Sequence, residues 1–221
     1  TDMGGGGRHF QATAWTNVMR ARDGSHGTAR IALDKLIDAY WKPVYFEIRR
    51  KGYGVEDAKD LTQHYFAQLV ERESLKRIDP AKGKFRTFIR ASLANLLCDQ
   101  FDRASAKKRT MPKEFADAER QYHEDASFEK DWATTTLDRA FTRLRQTAPR
   151  EARIVEARHL GDLRYKALAA EMGLSEVNAR ALARRGKMKL RAIILDELRQ
   201  TVMHPGEEQE ELGELFKALS L

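Results

Sequence analysis

Apolar residues recur along this chain at intervals of three and four. The every-other-residue pattern of a strand is nearly absent, so helices are predicted almost throughout. Residues 29–51 read as one helix, or as two interrupted at Pro43, closed by Gly52 and Gly54. A second helix covers 55–73, and a third covers 85–103. Between them, 74–84 form a basic loop marked by Asp79-Pro80 and Gly83. The pattern then fades into an acidic stretch bearing Asp117, Glu119, Glu124, Asp125, Glu129, Asp131 and Asp138. A second helical unit runs from 137 to 202 and ends at His204-Pro205-Gly206. A closing acidic segment carries Leu212, Leu215, Phe216 and Leu219 at helical spacing, so it is able to dock on another surface. The organisation expected is a flexible leader at 1–9, a first domain at 10–110, a linker at 111–136, a second domain at 137–202 and an acidic tail helix at 203–221. The fold class is all-α, with two small helical domains joined by an acidic linker.

Helical wheels sort these segments into faces. In 55–73, Ala58, Leu61, Tyr65, Phe66 and Leu69 gather on one side and Asp57, Asp60, Gln63, His64 and Ala67 on the other. In 85–103, Phe85, Ile89, Leu93, Leu96, Leu97 and Phe101 form the core stripe, while Phe88, Ala91, Asn95 and Asp102 lie opposite. Around 165–199, Ala169 is followed four positions later by Gly173, then by Leu174 and Ser175. That is the spacing of a helix-turn-helix: a small residue where helices cross, glycine in a left-handed turn, and serine capping the next helix. In the helix after Ser175, Ala179, Leu182, Ala183, Gly186, Leu190 and Ile193 share one face. Val177, Arg180, Ala181, Arg184, Met188 and Arg191 share the other. Gly186 costs about 1 kcal/mol of helix propensity and is expected to permit close packing.

Composition sharpens the picture. The 221 residues hold 40 Lys and Arg against 33 Asp and Glu, a net charge of +7 that favours a polyanionic partner. No apolar run approaches the length of a membrane helix, and the opening TDMGGGGRHF has no hydrophobic signal core. The lone Cys98 cannot form an intramolecular disulfide. It reads as a packing residue and suits a reducing compartment. The six histidines show no metal-ligand spacing. Glycines 4–7 follow no predicted strand, so no cofactor and no phosphate loop is expected.

Against this basic background the 57–64 face is acidic. It either is an ordinary solvated surface or meets a basic protein. From Lys76 to Lys113 the balance reverses: Lys82, Lys84, Arg86, Arg103, Lys107 and Lys108 are among the cations, interleaved with Phe88 and the amide of Asn95. Charge to follow a backbone, an aromatic to take a base and an amide to read an edge together suit single-stranded nucleic acid. The basic face of the last long helix suits a recognition helix in a duplex groove. Ser175, Val177, Asn178, Arg180, Ala181, Arg184 and Arg185 are its candidate contacts.

In this order the segments resemble the extracytoplasmic-function (ECF) sigma factors of bacteria over roughly 10–202. Asp57-Ala58-Lys59-Asp60-Leu61-Thr62-Gln63 resembles the family's Asp-Ala-Glu-Asp-Leu-x-Gln motif. Phe85-Arg86-Thr87-Phe88 followed by Asn95 and Asp99 resembles its Phe-Arg-x-(Trp/Phe) and Asn-x-x-x-Asp pattern. Residues 165–191 resemble region 4. Phe10-Gln11-x-x-x-Trp15, the run 20–23 and the tail near Leu215-Phe216 are similar to a planctomycete-like subgroup.

The resemblance implies a cytoplasmic transcription factor that does no bond chemistry. Asp57, Asp60, Gln63 and His64 would bind the β′ clamp helices of core RNA polymerase. Loop 76–84 and the helix around Asn95 would hold the melted −10 strand, and Arg180 and Arg184 with their neighbours would read the −35 duplex of promoter DNA. The linker would lie in the RNA exit channel, and the helix-turn-helix would meet the β flap. An anti-sigma factor or a regulatory kinase is a further partner to consider, and no membrane is expected. Where the family's motif has a second acid, this chain has Lys59, and His64 replaces the acid that often follows Gln63, so a weaker negative face is expected. Phosphorylation of Thr62 would restore charge, but the wheel puts Thr62 on the apolar side. Two other readings remain: a helix-turn-helix regulator that binds duplex only, and a metal-dependent nuclease using Asp57 and Asp60, which lacks further acids on that face.

Overall fold

The computed structural model describes residues 26–70, 85–107, 126–159, 164–202 and 206–220, with the side chains of 26–32, 102–107 and 159 excepted. Among the described residues there are eight helices and no strand, an all-α fold. None of these helices is long and apolar enough to cross a membrane. Two compact units emerge: residues 1–125 with 199–208, and residues 126–198 with 209–221.

The first unit is built on α1 (His26–Arg50), α2 (Val55–Val70) and α3 (Phe85–Lys107). The helix α1 runs unbroken through Pro43. A proline there cannot donate to the Ala39 carbonyl, but Leu36, Tyr40, Val44 and Ile48 on both sides of it form one fully buried stripe, and that packing keeps the helix whole. Gly52, at φ +91°, turns the chain out, with Gly52 N–H bonded to the Arg49 carbonyl at 3.0 Å. Glu56 and Asp57 then sit in the first turn of α2, where the helix dipole favours acids.

Aromatic contacts tie the three helices together. Trp41 stacks on Phe66 at 5.6 Å between ring centroids, and Tyr40 meets Phe85 edge-on at 5.1 Å. The Tyr65 hydroxyl reaches across from α2 to Ser92 Oγ (2.7 Å) and donates to the Ile89 carbonyl (3.3 Å) of α3. Burial pushes its ionisation well above the usual tyrosine range.

The second unit contains α4 (Ala126–Thr147), α5 (Pro149–His159), α6 (Tyr165–Glu171), α7 (Glu176–Arg199) and most of α8 (Glu207–Leu219). Here the sequence reading needs correction. The stretch 126–136, whose acids suggest a partly helical linker, is the first half of α4. Its buried stripe is Phe128, Trp132, Thr135, Thr136 and Ala140, so threonines carry positions where apolar residues were sought. Thr136 can be buried because its hydroxyl donates to the Trp132 carbonyl at 2.9 Å, leaving only methyl surface to pack.

The core of this unit gathers Phe141 and Leu144 of α4, Ala152, Ile154 and Val155 of α5, Leu168 and Ala169 of α6, and Ala179, Leu182 and Ala183 of α7. Ion pairs bind α4 to α7 outside it: Arg139 to Glu197 at 3.1 Å, and Arg143 to Asp196 and Glu197.

The tail segment forms α8 as expected. Leu212, Leu215 and Ala218 are buried, but Phe216, expected on the docking side, is exposed. Two of its acids, Glu208 and Glu211, are buried as well. Burial pushes the Glu208 carboxyl up, but backbone N–H groups of Glu208 and Gly206 and the Arg199 guanidinium outweigh that and hold it below the usual range. Cys98, read as a packing residue, is exposed instead. The leader, the linker residues 111–125 and the segments 10–15 and 20–23 lie outside the described residues.

Candidate nucleic-acid interface

The turn between α6 and α7 is set by hydrogen bonds of a Schellman cap. Leu174 N–H reaches the Ala169 carbonyl at 2.8 Å and Gly173 N–H reaches Ala170 at 3.3 Å. Gly173 has φ +64°, the left-handed conformation that glycine adopts without a Cβ penalty. Ser175 Oγ accepts the Asn178 backbone N–H at 3.2 Å, capping α7 as its position in the sequence suggests.

The helix α7 then lies close against α5. A Cβ on Gly186 would fall 2.6 Å from Val155 Cγ2 and 2.9 Å from the Glu151 carbonyl oxygen, so only glycine fits the crossing. Lys189 bonds Glu151 at its edge, and this hydrogen bond is the main cause that holds the Glu151 carboxyl below its usual range, partly offset by burial.

With Ala179, Leu182, Ala183 and Gly186 buried, the opposite face of α7 is solvent-facing. Val177 and Met188 are 75% and 65% exposed on this face. Ser175, Asn178, Arg180, Ala181, Arg184, Arg185 and Arg191 are also exposed. Neither Arg184 nor Arg185 forms an ion pair among the described residues. Arg180 does: its Nε and Nη2 donate to Glu176 Oε1 at 3.1 and 2.6 Å, and its guanidinium lies over the Tyr165 ring. The Glu176 pairing is legible as i, i+4 spacing. Tyr165 belongs to another helix, and only the three-dimensional fold brings it there. Both were missed as site residues.

On α2, Asp57, Asp60, Gln63, His64 and Ala67 are exposed, while Ala58, Thr62, Tyr65, Phe66 and Leu69 are buried. A shallow, open depression beside this face is lined by Tyr53, Asp57, Asp60, Leu61, His64 and Gln100. Lys59 turns to Glu56, with Nζ to Oε1 at 2.8 Å.

The candidate single-strand surface on α3 is less uniform. Asn95 is exposed as expected, and Phe88 is half-buried beside Phe85 at 6.1 Å. Arg86 is a correction: only 8% exposed, it belongs to the interior face of α3 and not to an open cationic surface. It directly follows Phe85, which heads the core stripe. Lys82, Lys84 and Lys108 lie outside the described residues, as do the side chains of Arg103 and Lys107.

A family model for ECF sigma factors matches residues 46–200. The chain belongs to the ECF sigma factor family. No curated protein and no solved structure matches it significantly. Membership makes this sigma factor a DNA-binding transcription regulator that works with core RNA polymerase and promoter DNA in transcription initiation. The matched span runs from the last turns of α1 through α7 and leaves α8 of this sigma factor beyond it.

Proposed function

We propose that this sigma factor directs polymerase to promoters of two elements and assists opening at the −10 element. The region around Asn95 and Phe88, with the flanking cations of 76–84 and 103–108, would hold the extruded strand. Extrusion costs a few kcal/mol per base, which pocket contacts and backbone charge offset. The capped helix α7 would read the −35 duplex through Val177, Arg180, Ala181, Arg184 and Arg185. The α2 face of Asp57, Asp60, Gln63 and His64 would dock on the β′ clamp helices, and the helix-turn-helix would meet the β flap. In this reading residues 10–110 act as region 2, and the linker in the exit channel shortens to about 111–125, since α4 begins at Ala126. The similarity of the opening residues and of the tail to planctomycete-like members fits the same scheme.

The observation that carries the reading is the exposed face of α7, whose arginines at 184 and 185 form no ion pair among the described residues. It stands on a glycine-packed, serine-capped helix-turn-helix. The test is gel filtration of the full chain with core bacterial RNA polymerase, wild type against Asp60→Ala/Gln63→Ala. Co-elution lost in the double variant is expected. A wild-type chain that never co-elutes, and runs as a dimer, would point instead to a duplex-binding regulator.

A further inference from the structure

The first turn of α7 holds Arg180 in a way that simple exposure of a basic face does not require. The Arg180 Cζ lies 4.9 Å from the centroid of the Tyr165 ring. Its Nε and Nη2 both donate to Glu176 Oε1. Arg158, from α5, lies over the same ring at 5.6 Å. Tyr165 itself is packed against the core of its unit, so the ring is a fixed platform and not a mobile surface group. Arg184, one turn further along α7, has no such support among the described residues.

This matters for recognition. A guanidinium carries five N–H donors in a planar fork. Glu176 occupies two of them, and the Tyr165 ring takes the π face, where the negative quadrupole favours a cation. Three donors on Nη1 and Nη2 remain. That edge of the fork is the one suited to two-point contact with a phosphate or with guanine O6 and N7. An arginine that is already oriented loses less freedom when it makes such a contact.

We propose that Tyr165 is a positioning residue for promoter recognition: its ring, together with Glu176, fixes the Arg180 guanidinium so that Arg180 reads a single base or phosphate. The inference rests on the −35 role of α7 argued above. Tyr165 touches no DNA in this scheme and acts only through Arg180.

The test uses the full chain assembled with core bacterial RNA polymerase, with duplexes enriched by the wild-type complex from a random-sequence pool as the probe. Affinities are compared for wild type, Tyr165→Phe, Tyr165→Leu, Arg180→Ala and the Tyr165→Leu/Arg180→Ala pair. Tyr165→Phe keeps the platform and should bind as wild type. Tyr165→Leu should weaken binding about two- to fivefold, the range of an exposed cation–π contact, and relax preference at the base pair that Arg180→Ala relaxes. In the Arg180→Ala background the loss should vanish. A packing role alone would weaken binding equally with or without Arg180, and that result overturns the proposal. So does an enriched duplex that Tyr165→Leu binds as tightly as wild type. If the wild type enriches no duplex at all, the −35 reading falls and the proposal falls with it. A readout needing no core variant completes the test. In the DNA-free wild type the Arg180 Nε–H proton, assigned with Arg180→Lys, should show nuclear Overhauser contacts to the Tyr165 ring protons. Their absence overturns the proposal whatever Tyr165→Leu does.

Discussion

Gly186→Ala is the most informative single substitution in the helix-turn-helix, because two well-understood effects oppose each other there. Alanine in a helix interior is favoured over glycine by about 1 kcal/mol. On propensity alone the variant should be more stable. At this crossing, however, the new methyl would lie 2.6 Å from Val155 Cγ2 and 2.9 Å from the Glu151 carbonyl oxygen. Val155 is 1% exposed and β-branched, so it has no second rotamer to retreat into. The Glu151 oxygen is backbone and moves only if α5 moves. Overpacking of this kind costs roughly 1–3 kcal/mol and more where backbone must shift. The overpacking term wins, and a net loss of about 1–2 kcal/mol is expected. The assay is urea unfolding of the full chain followed by far-UV circular dichroism. Gly213→Ala is the control: it lies exposed in α8 with nothing within 4 Å of its Cβ position, so only the propensity gain should register. The two substitutions should therefore shift the midpoint in opposite directions. Val155→Ala placed in the Gly186→Ala background should cost less than Val155→Ala alone. Promoter affinity should fall in Gly186→Ala although no exposed residue changes, because α7 is pushed off its seat. A Gly186→Ala chain as stable as wild type would refute the argument that close packing, and not chance, put glycine there.

Three further outcomes are expected. Thr62 is fully buried with its hydroxyl bonded to the Ala58 carbonyl at 2.7 Å, so Thr62→Asp should destabilise by about 3 kcal/mol or more and reduce co-elution with core polymerase. An acidic residue there that strengthened co-elution would revive phosphorylation as a charge-restoring switch. Glu151 has a folded pKa held below its unfolded value by Lys189, so the pair contributes stability above the ordinary carboxylate pKa and loses it as pH falls through the folded value. Glu151→Gln should flatten that acid limb in urea midpoints taken from neutral pH downward, and an unchanged limb would contradict the pairing. Truncation before α8 removes buried Leu212 and Leu215, each worth about 2 kcal/mol, so a lower melting temperature is expected with no gain in DNA affinity. Tighter DNA binding at unchanged stability would instead make α8 a lid over the basic surface.

The sequence carried the helix-turn-helix almost completely, because its determinants are local. A glycine at positive φ, a serine cap and a stripe of small and apolar residues each leave a readable mark within a few positions. The faces of α2 were equally legible, since every buried position but Thr62 is apolar or aromatic, and the wheel placed Thr62 correctly from spacing alone. What escaped was burial achieved by polar residues. Thr135 and Thr136 in α4 and Glu208 and Glu211 in α8 look like solvent positions by residue type, and for Thr136 and Glu208 the partners that permit burial are the Trp132 carbonyl and the Arg199 guanidinium. The same limit hid Tyr165, whose role depends on a residue fifteen positions away on another helix, and it misassigned Arg86, whose charge outweighed its place next to Phe85 in a simple count of cations.

The acidic face of α2 shows how structure can revise a charge argument. By composition, Lys59 subtracts from the face and leaves it weaker than the family's motif. In the fold Lys59 reaches back three residues to Glu56, an acid of the first turn. That exposed pair contributes little to stability, but it determines which charges remain. Glu56 and Lys59 neutralise each other locally, while Asp57 and Asp60 stay exposed around the depression with Tyr53 and His64. A basic partner surface would thus meet two carboxylates one helical turn apart, with the Lys59 ammonium held mainly by Glu56 and acting more weakly on Asp60. Asp57 and Asp60 should therefore govern polymerase binding, and Lys59→Glu should strengthen it, because it would free the Glu56 charge as well as add an acid, at a small cost in helix stability from like charges on one turn.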